Sequence, residues 1–267
     1  MSIRVCVAGA TGWTGSAVAR ALVGAEGFEL VAGIARRRAG ADLGTVLGGA
    51  PLGFPVAPDL AAALATPFDV LVDFTAPDSV KARTLAALAA GRQVVVGTSG
   101  LTAADFADLE AAAQAQGAGL VAAGNFSITA ALAKHFALEA ARFLPSWEIL
   151  DYADAGKVDA PSGTVLELAE ALGAVRRSEL GVALDQIHGY PGARGETLGG
   201  AQVHSVRLPG YVIAFETQFG LPHERLSIRH DAGSGADPYV AGVLLAVRKA
   251  IGLKGLVRGL DTLMFQG

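Results

Sequence analysis

The chain has 267 residues, which at roughly 150 residues per domain points to two domains. Lys and Arg number 21 against 25 Asp and Glu, a formal net charge of −4, so no electrostatic case for nucleic acid arises. Hydrophobic residues make up 52 % and charged residues 17 %, the latter against a typical value of about 25 %, which supplies a core and excludes a disordered chain.

The single cysteine, Cys6, excludes an intramolecular disulfide and a multi-cysteine zinc or iron–sulfur site, and fits a reducing cytosol. The first apolar run is broken too soon by glycine for a signal sequence. No uninterrupted apolar stretch approaches the ~20 residues that span a bilayer, because Lys134, His135, Glu139 and Arg142 interrupt the longest candidate helix. A cytoplasmic protein that partners neither nucleic acid nor membrane is expected. His135, His188, His204, His223 and His230 show no metal-ligand spacing, and no metal is expected.

In chain order, short β-branched runs alternate with Ala-rich helical stretches, the pattern of βαβ units on a parallel sheet. Ile3 to Ala8 reads as a strand, Ser16 to Leu22 as a helix and Phe28 to Ala35 as a second strand, followed by a Gly- and Pro-rich loop over 39–58. Phe68 to Phe74 is almost wholly apolar, as expected of a strand covered on both faces. Pro77 opens a helix to about Gly91, Gln93 to Thr98 is a strand, and Thr102 with Asp105 makes a capping box for the next helix. Residues 119–123 close the series. Ser127 to Leu144 reads as a helix, Trp147 to Tyr152 as a strand and Val165 to Leu172 as an apolar-periodic helix. The segments 201–208, 211–219 and 224–230 read as strands with turns at Pro209-Gly210 and Leu221-Pro222, suggesting an antiparallel sheet in a second domain. Asp237-Pro238 then starts a closing helix to about Ile251. The expected fold is α/β, a Rossmann-type doubly wound parallel sheet joined to an α+β domain.

The string GATGWTG, residues 9–15, stands between the first strand and the first helix. There Gly9 permits a tight turn, Gly12 lets the backbone approach a pyrophosphate, and Gly15 allows close helix–sheet packing. The helix N-terminus offers N–H groups to the anion, with Thr11, Trp13 and Thr14 as further candidate contacts. The spacing is G-x-x-G-x-x-G, so its strand–helix context carries the inference of dinucleotide binding, against a plain glycine turn. NAD-preferring Rossmann enzymes place an acidic residue about 20 residues on, at the end of the second strand. Here that place reads Ala35-Arg36-Arg37-Arg38. Guanidinium groups at Arg36 and Arg37 suit a 2′-phosphate, so NADPH is expected over NADH; arginines that merely solvate a loop are the alternative.

The segments DFT at 73–75, GTSG at 97–100 and GNFS at 124–127 follow predicted strands, at the end of the sheet where open α/β folds hold ligands. Asp73, Phe74, Thr75, Gly97, Thr98, Asn125 and Phe126 are therefore candidates to line the cofactor pocket, although Ser, Thr and Asn are also ordinary turn formers. The most specific string is KVDAPSGT, Lys157 to Thr164. Ser162-Gly163-Thr164 ahead of an apolar-periodic helix gives an N-cap and a second anion site suited to a substrate carboxylate. Lys157 stands nearby as a point cation or proton donor, a surface lysine being the plainer alternative.

These strings together resemble the dihydrodipicolinate reductase (4-hydroxy-tetrahydrodipicolinate reductase) family of bacterial lysine synthesis, nearly end to end. The resemblance runs through VAGATGWTG, VDFTAPDS, VVVGTSGL, the NFS at 125–127, KVDAPSGT, RGETLGG at 194–200 and ERLSIRHDA at 224–232. It implies a Rossmann domain of residues 1–124 and 235–267, completed by the C-terminal helix. An inserted domain, 125–234, would bind substrate and build a homotetramer. It also implies that Lys157, Ser162, Gly163 and Thr164 hold a substrate carboxylate and that Gly9 to Gly15, Thr75, Gly97, Thr98 and Asn125 hold the cofactor.

Two departures bear on the chemistry. The family's His-His pair, four and three residues before its lysine, is here Ala153 and Asp154, so the expected general acid is missing. The family's His-x-Ala-x-Ser-Arg is here His230 to Gly235, without the arginine, and His230 remains a candidate substrate contact. Reducing a conjugated cyclic imine needs a delivered proton, and a positioned acid contributes typically 10²- to 10⁴-fold. A simple iminium ion carries its own proton and needs only alignment and nearby negative groups, for which Asp151, Asp154 and Asp159 are the candidates. The expectation is an NADPH-dependent reductase of an imine or cyclic imino acid, with Lys157, Asp154 and Tyr152 as candidate catalytic residues. The family's own reaction is the close alternative, and a non-catalytic NADPH-binding sensor the alternative from another class. A short-chain dehydrogenase would place its tyrosine four residues before its lysine, whereas Tyr152 and Lys157 are five apart. A semialdehyde dehydrogenase needs a thiol beyond the Rossmann domain, and Cys6 lies in the first strand.

Overall fold

The computed structural model describes residues 2–265, and the chain divides into two compact units, Met1–Ile128 with Gly235–Gly267, and Thr129–Ser234. The first unit is built on six strands, β1 (Ile3–Ala8), β2 (Phe28–Ile34), β3 (Val70–Asp73), β4 (Gln93–Val96), β5 (Gly119–Ala122) and β11 (Gly255–Arg258). They lie in the order β11-β5-β4-β3-β1-β2, and every pairing is parallel. The strands β3 and β5 are buried throughout, which is why their sequences are continuous apolar runs instead of alternating ones. Their crossovers are the helices α1 (Trp13–Leu22), α4 (Pro77–Ala89), α5 (Ala103–Gln116) and α8 (Asp237–Ala250); α1 packs on α8, and α4 on α5.

Three expectations need correction here. The helix after the glycine string begins at Trp13, a turn before Ser16. The loop over 39–58 holds a short helix, α2 (Leu43–Val46), whose N-terminus is capped by Asp42 accepting the Thr45 N–H at 3.0 Å, and a second short helix, α3 (Leu60–Ala63), follows it. Residues 119–123 do not close the sheet: β11 pairs in parallel with β5, and a last helix, α9 (Leu260–Phe265), follows.

The second unit holds α6 (Ile128–Phe143), β6 (Ser146–Ala153), α7 (Gly163–Val175), β7 (Glu196–Leu198), β8 (Ala201–Arg207), β9 (Ile213–Leu221) and β10 (Glu224–Ala232). Its sheet runs β10-β9-β6-β8-β7 and is mixed, not antiparallel as expected: β6 pairs in parallel with β8 and antiparallel with β9. The chain leaves β6 through α7, re-enters at the sheet edge as β7 and turns back as β8, a crossover that brings β8 beside β6 in the same direction. Burial alternates along β6, so Trp147, Ile149, Asp151 and Ala153 share one face while Glu148, Leu150 and Tyr152 share the other. Ala130, Ala133, Ala137 and Ala141 of α6 and Val165, Leu168, Ala169 and Leu172 of α7 cover the first face, packing with Trp147, Ile149, Val203, Phe215 and Phe219. Such i, i+3, i+4 spacing is what turns one helix face to a sheet. No helix of the described residues is long and apolar enough to cross a membrane.

Candidate active site

In the first unit the bend between β1 and α1 depends on residues without a Cβ. Gly9 takes φ +79°, and a Cβ there would stand 2.1 Å from the Phe74 carbonyl oxygen. A Cβ on Gly15 would stand 2.1 Å from the Gly9 carbonyl oxygen. The N-cap of α1 is Gly12, which supplies no side-chain acceptor, so the N–H groups of the first turn are left for an external anion. Two adjoining cavities meet at this bend. One, about 490 Å³, runs from Gly9, Thr11 and Gly12 to Arg36 and Arg37. The other, about 330 Å³, runs past Trp13 and Thr14 to Gly97 and Thr98. Both include Gly12, Phe74 and Thr75. A trough with guanidinium groups at one end, bare helix N–H groups in the middle and small polar loops at the other has the donor set that a dinucleotide needs.

The wall of the trough is fixed by a buried charge. Asp73, at the end of β3, is fully buried. Its Oδ1 accepts from the Thr75 hydroxyl at 2.6 Å, the Thr75 N–H at 3.0 Å and the Thr98 hydroxyl at 3.0 Å. Its Oδ2 accepts from Arg83 Nη1 at 2.6 Å, and the same Nη1 reaches the Thr75 hydroxyl at 2.6 Å. One carboxylate thus ties the loops after β3 and β4 to α4. Sequence reasoning took Thr75 and Thr98 as cofactor contacts but missed Arg83, which lines the larger cavity; it stands ten positions beyond Asp73, across a loop and into α4, and only the folding of that helix brings it back.

Asn125 and Phe126 are not among the residues that line these two cavities. Asn125 Oδ1 accepts the Ser127 N–H at 2.8 Å, closing a local turn. The Phe126 ring is 2 % exposed and packs edge-on against Phe74 at 5.8 Å, so it supports a wall instead of forming one. Asp59 was also missed. It lines the same cavity as Arg36 and Arg37, brought there by the bridge of Ile34 to Ala57. The expectation that this end lacks a carboxylate holds along the chain but not in space, although Asp59 Oδ1 is engaged by the Ala62 N–H at 2.8 Å.

In the second unit Ser162 caps α7, its hydroxyl accepting the Val165 N–H at 3.4 Å, and α7 opens with Gly163 and Thr164. Lys157 follows a tight turn in which its N–H bonds the Asp154 carbonyl at 3.0 Å, and its Nζ pairs with Asp159 at 2.7 Å. That pairing, first through the hydrogen bond and then through charge, holds the Asp159 carboxyl below its ordinary range.

The three aspartates proposed from sequence to steady a cationic substrate are mostly committed elsewhere. Asp151 is fully buried and paired with Arg207 at 2.7 Å, Asp159 is paired with Lys157, and Asp154 Oδ1 accepts the Gly156 N–H at 2.9 Å. Ala153, where an acid was sought, is fully buried on the α7 side of the sheet. Tyr152 points to the opposite side from Asp151 by the alternation of β6. Its hydroxyl bonds Glu216 at 3.2 Å and its ring lies under Arg229 at 4.8 Å. Burial, and then Glu216, raise its pKa above the ordinary phenol value. The structure therefore does not bring Tyr152 to the Lys157 segment. His230 lies in register with Phe215, which pairs with Asp151, so it is on the α7 side; burial pushes its pKa down, against a smaller opposing effect of Asp231. No cluster of metal-ligating side chains occurs among the described residues.

Two family models together match nearly the whole chain. Residues 3–126 match the family model described as "Dihydrodipicolinate reductase, N-terminus", and residues 128–264 match "Dihydrodipicolinate reductase, C-terminus". The chain is 40 % identical to the 4-hydroxy-tetrahydrodipicolinate reductase of Desulfitobacterium hafniense over 98 % of each chain, and 39 % identical to that of Moorella thermoacetica over 98 % of each. Among solved structures, the dipicolinate-bound dihydrodipicolinate reductase of Paenisporosarcina sp. superposes with a TM-score of 0.86 at 31 % identity, covering 98 % of this chain and 99 % of that one.

Proposed function

Because the chain belongs to the dihydrodipicolinate reductase family, and so to the NAD(P)H oxidoreductases, we propose that it carries out the reaction its relatives are named for, the reduction of 4-hydroxy-tetrahydrodipicolinate, with NADPH as the reductant. The observation that carries this reading is the 40 % identity over 98 % of both chains, coupled to an intact Lys157 to Thr164 segment at the N-terminus of α7.

The N–H groups of α1 and the Gly9 bend hold a pyrophosphate, and Arg36 and Arg37 take the 2′-phosphate. Phe74, Thr75, Gly97 and Thr98 line the end where a nicotinamide lies. When bound, the reduced nicotinamide supplies a hydride to the substrate. Ser162, Gly163 and Thr164 receive the substrate carboxylate on N–H and hydroxyl donors, and Lys157 adds a point charge and serves as the proton source. The homotetramer implied by the resemblance, built on the sheet of the second unit, belongs to the same reading.

A second reading, reduction of a simple cyclic iminium, rests on one observation: residue 153 is a buried alanine with no proton to give. The commitment of Asp151 and Asp159 to other cations removes much of the negative charge that reading relied on. Steady-state oxidation of NADPH with the conjugated pathway imine and with a panel of simple cyclic imines separates the two, and binding of NADPH without turnover of either would identify a sensor.

A further inference from the structure

The segment between β6 and α7 carries Lys157 and ends at Ser162, yet most of it stands in solvent, with Val158 fully exposed. Its internal bonds are few: the Lys157 N–H to the Asp154 carbonyl, the Gly156 N–H to the Asp154 carboxylate, and the Lys157–Asp159 ion pair. What fixes the lysine relative to the helix N-terminus comes from below, on the sheet.

Arg207, the last residue of β8, lies opposite Ala153 in register and is 16 % exposed. Its Nη2 donates to Asp151 Oδ2 at 2.7 Å and to the Asp159 carbonyl at 2.7 Å, while Nη1 donates to the Val206 carbonyl at 3.0 Å. Asp151 Oδ2 also accepts the Ser162 N–H at 2.8 Å and the Ser205 hydroxyl at 3.2 Å. One ion pair therefore grips the second half of the segment at two points, at Asp159, whose carboxylate holds Lys157, and at Ser162, the cap of α7.

The pair also matters by its charge. A buried carboxylate under the helix N-terminus would repel a second carboxylate arriving there, and in a poorly solvated place that repulsion is weakly screened. The Arg207 guanidinium neutralises Asp151 at contact distance, so that this carboxylate adds no net negative charge beneath the N–H groups of Gly163 and Thr164. A lysine in its place keeps the charge, but a point ammonium on a flexible stem does not reproduce the planar fork that spans carboxylate, Asp159 carbonyl and strand.

We propose that Arg207, acting through Asp151, is a positioning residue for substrate: it sets Lys157 against the N-terminus of α7 and screens Asp151 from the incoming carboxylate. The proposal rests on the reading of Lys157 to Thr164 as the substrate's carboxylate site. The test is calorimetric titration of dipicolinate into the full-length chain saturated with NADPH, for the parent, Lys157→Ala, Arg207→Lys and Arg207→Met, with the NADPH affinity of each measured separately. Misplacement of binding groups by an ångström is worth up to about 10²-fold; about tenfold weaker dipicolinate binding is expected for Arg207→Lys and more for Arg207→Met, with NADPH affinity at the parental value. Parental dipicolinate affinity in Arg207→Lys, or an equal loss of dipicolinate and NADPH, overturns the assignment, and Arg207→Lys decides it where Arg207→Met does not fold. Lys157→Ala distinguishes the underlying reading: if it binds dipicolinate like the parent, the carboxylate site itself is misassigned, whereas loss in Lys157→Ala without loss in either Arg207 variant sinks only the role of Arg207.

Discussion

The carboxylate of Asp73 is wholly out of solvent, and it persists there because hydroxyl and N–H donors from two loops and one guanidinium converge on it. Removing one partner of such a pair leaves a poorly solvated charge, a loss of about 3–5 kcal/mol, so Asp73→Asn should lower stability by that order in urea unfolding; a loss under about 1 kcal/mol would contradict the clamp. At the far end of the trough, charge-assisted hydrogen bonds are worth about 1.5–3 kcal/mol each. Replacing either Arg36 or Arg37 by Ala should therefore raise KM for NADPH roughly tenfold to hundredfold while KM for NADH changes little, and an equal change in both would remove the 2′-phosphate role. His230 adds a pH effect. Burial depresses its folded-state pKa below 6.5, so the unfolded chain takes up the proton more readily, and the stability His230 contributes is present above that pH and lost as pH falls through the folded value. His230→Phe should flatten stability between pH 7 and pH 5, and an unchanged slope would assign the effect to other groups. The residues legible from sequence were those in contiguous strings, Gly9 to Gly15 and Lys157 to Thr164. Asp59, Arg83 and Arg207 reach their sites through pairings of distant segments, which no local string encodes.

Helix ends follow local chemistry closely. Both bonds of the capping box at α5 are present, the Thr102 hydroxyl accepting the Asp105 N–H at 3.2 Å and the Asp105 carboxylate accepting the Thr102 N–H at 2.9 Å. Thr102→Ala should lower stability by about 1 kcal/mol in denaturant titration with no change in turnover; no measurable loss would show that the cap is not needed for α5. The start of α1 was hidden because Trp13, Thr14 and Gly15 lack helical propensity, and what places them in the helix is packing of the Gly9 bend. The mixed sheet was misread for a different reason. Turn signals at Pro209-Gly210 and Leu221-Pro222 mark where the chain reverses, and the second does join paired strands, β9 and β10. The first joins β8 and β9, which flank β6 instead of pairing with each other; a turn does not reveal a strand inserted between its arms.

Across the whole molecule, the chain leaves the first unit at Ile128 and returns at Gly235, then supplies α8, β11 and α9. The alternation of strands and helices in the first half was legible because each βαβ unit is local. The return came from the family resemblance and not from any local string, and β11 went unread, since it is four residues long and finds its partner β5 far back in the chain. The account as a whole requires that the chain reduce its substrate with NADPH and that Lys157 take part in that reduction. The most direct measurement is steady-state turnover, followed by loss of the reduced-nicotinamide absorbance, of the conjugated pathway imine with NADPH by the parent and by Lys157→Ala. The account predicts turnover by the parent that falls by about 10²- to 10⁴-fold, the usual worth of a positioned proton donor, in the variant. NADPH bound but left unoxidised with that substrate, or turnover indifferent to Lys157→Ala, would contradict it.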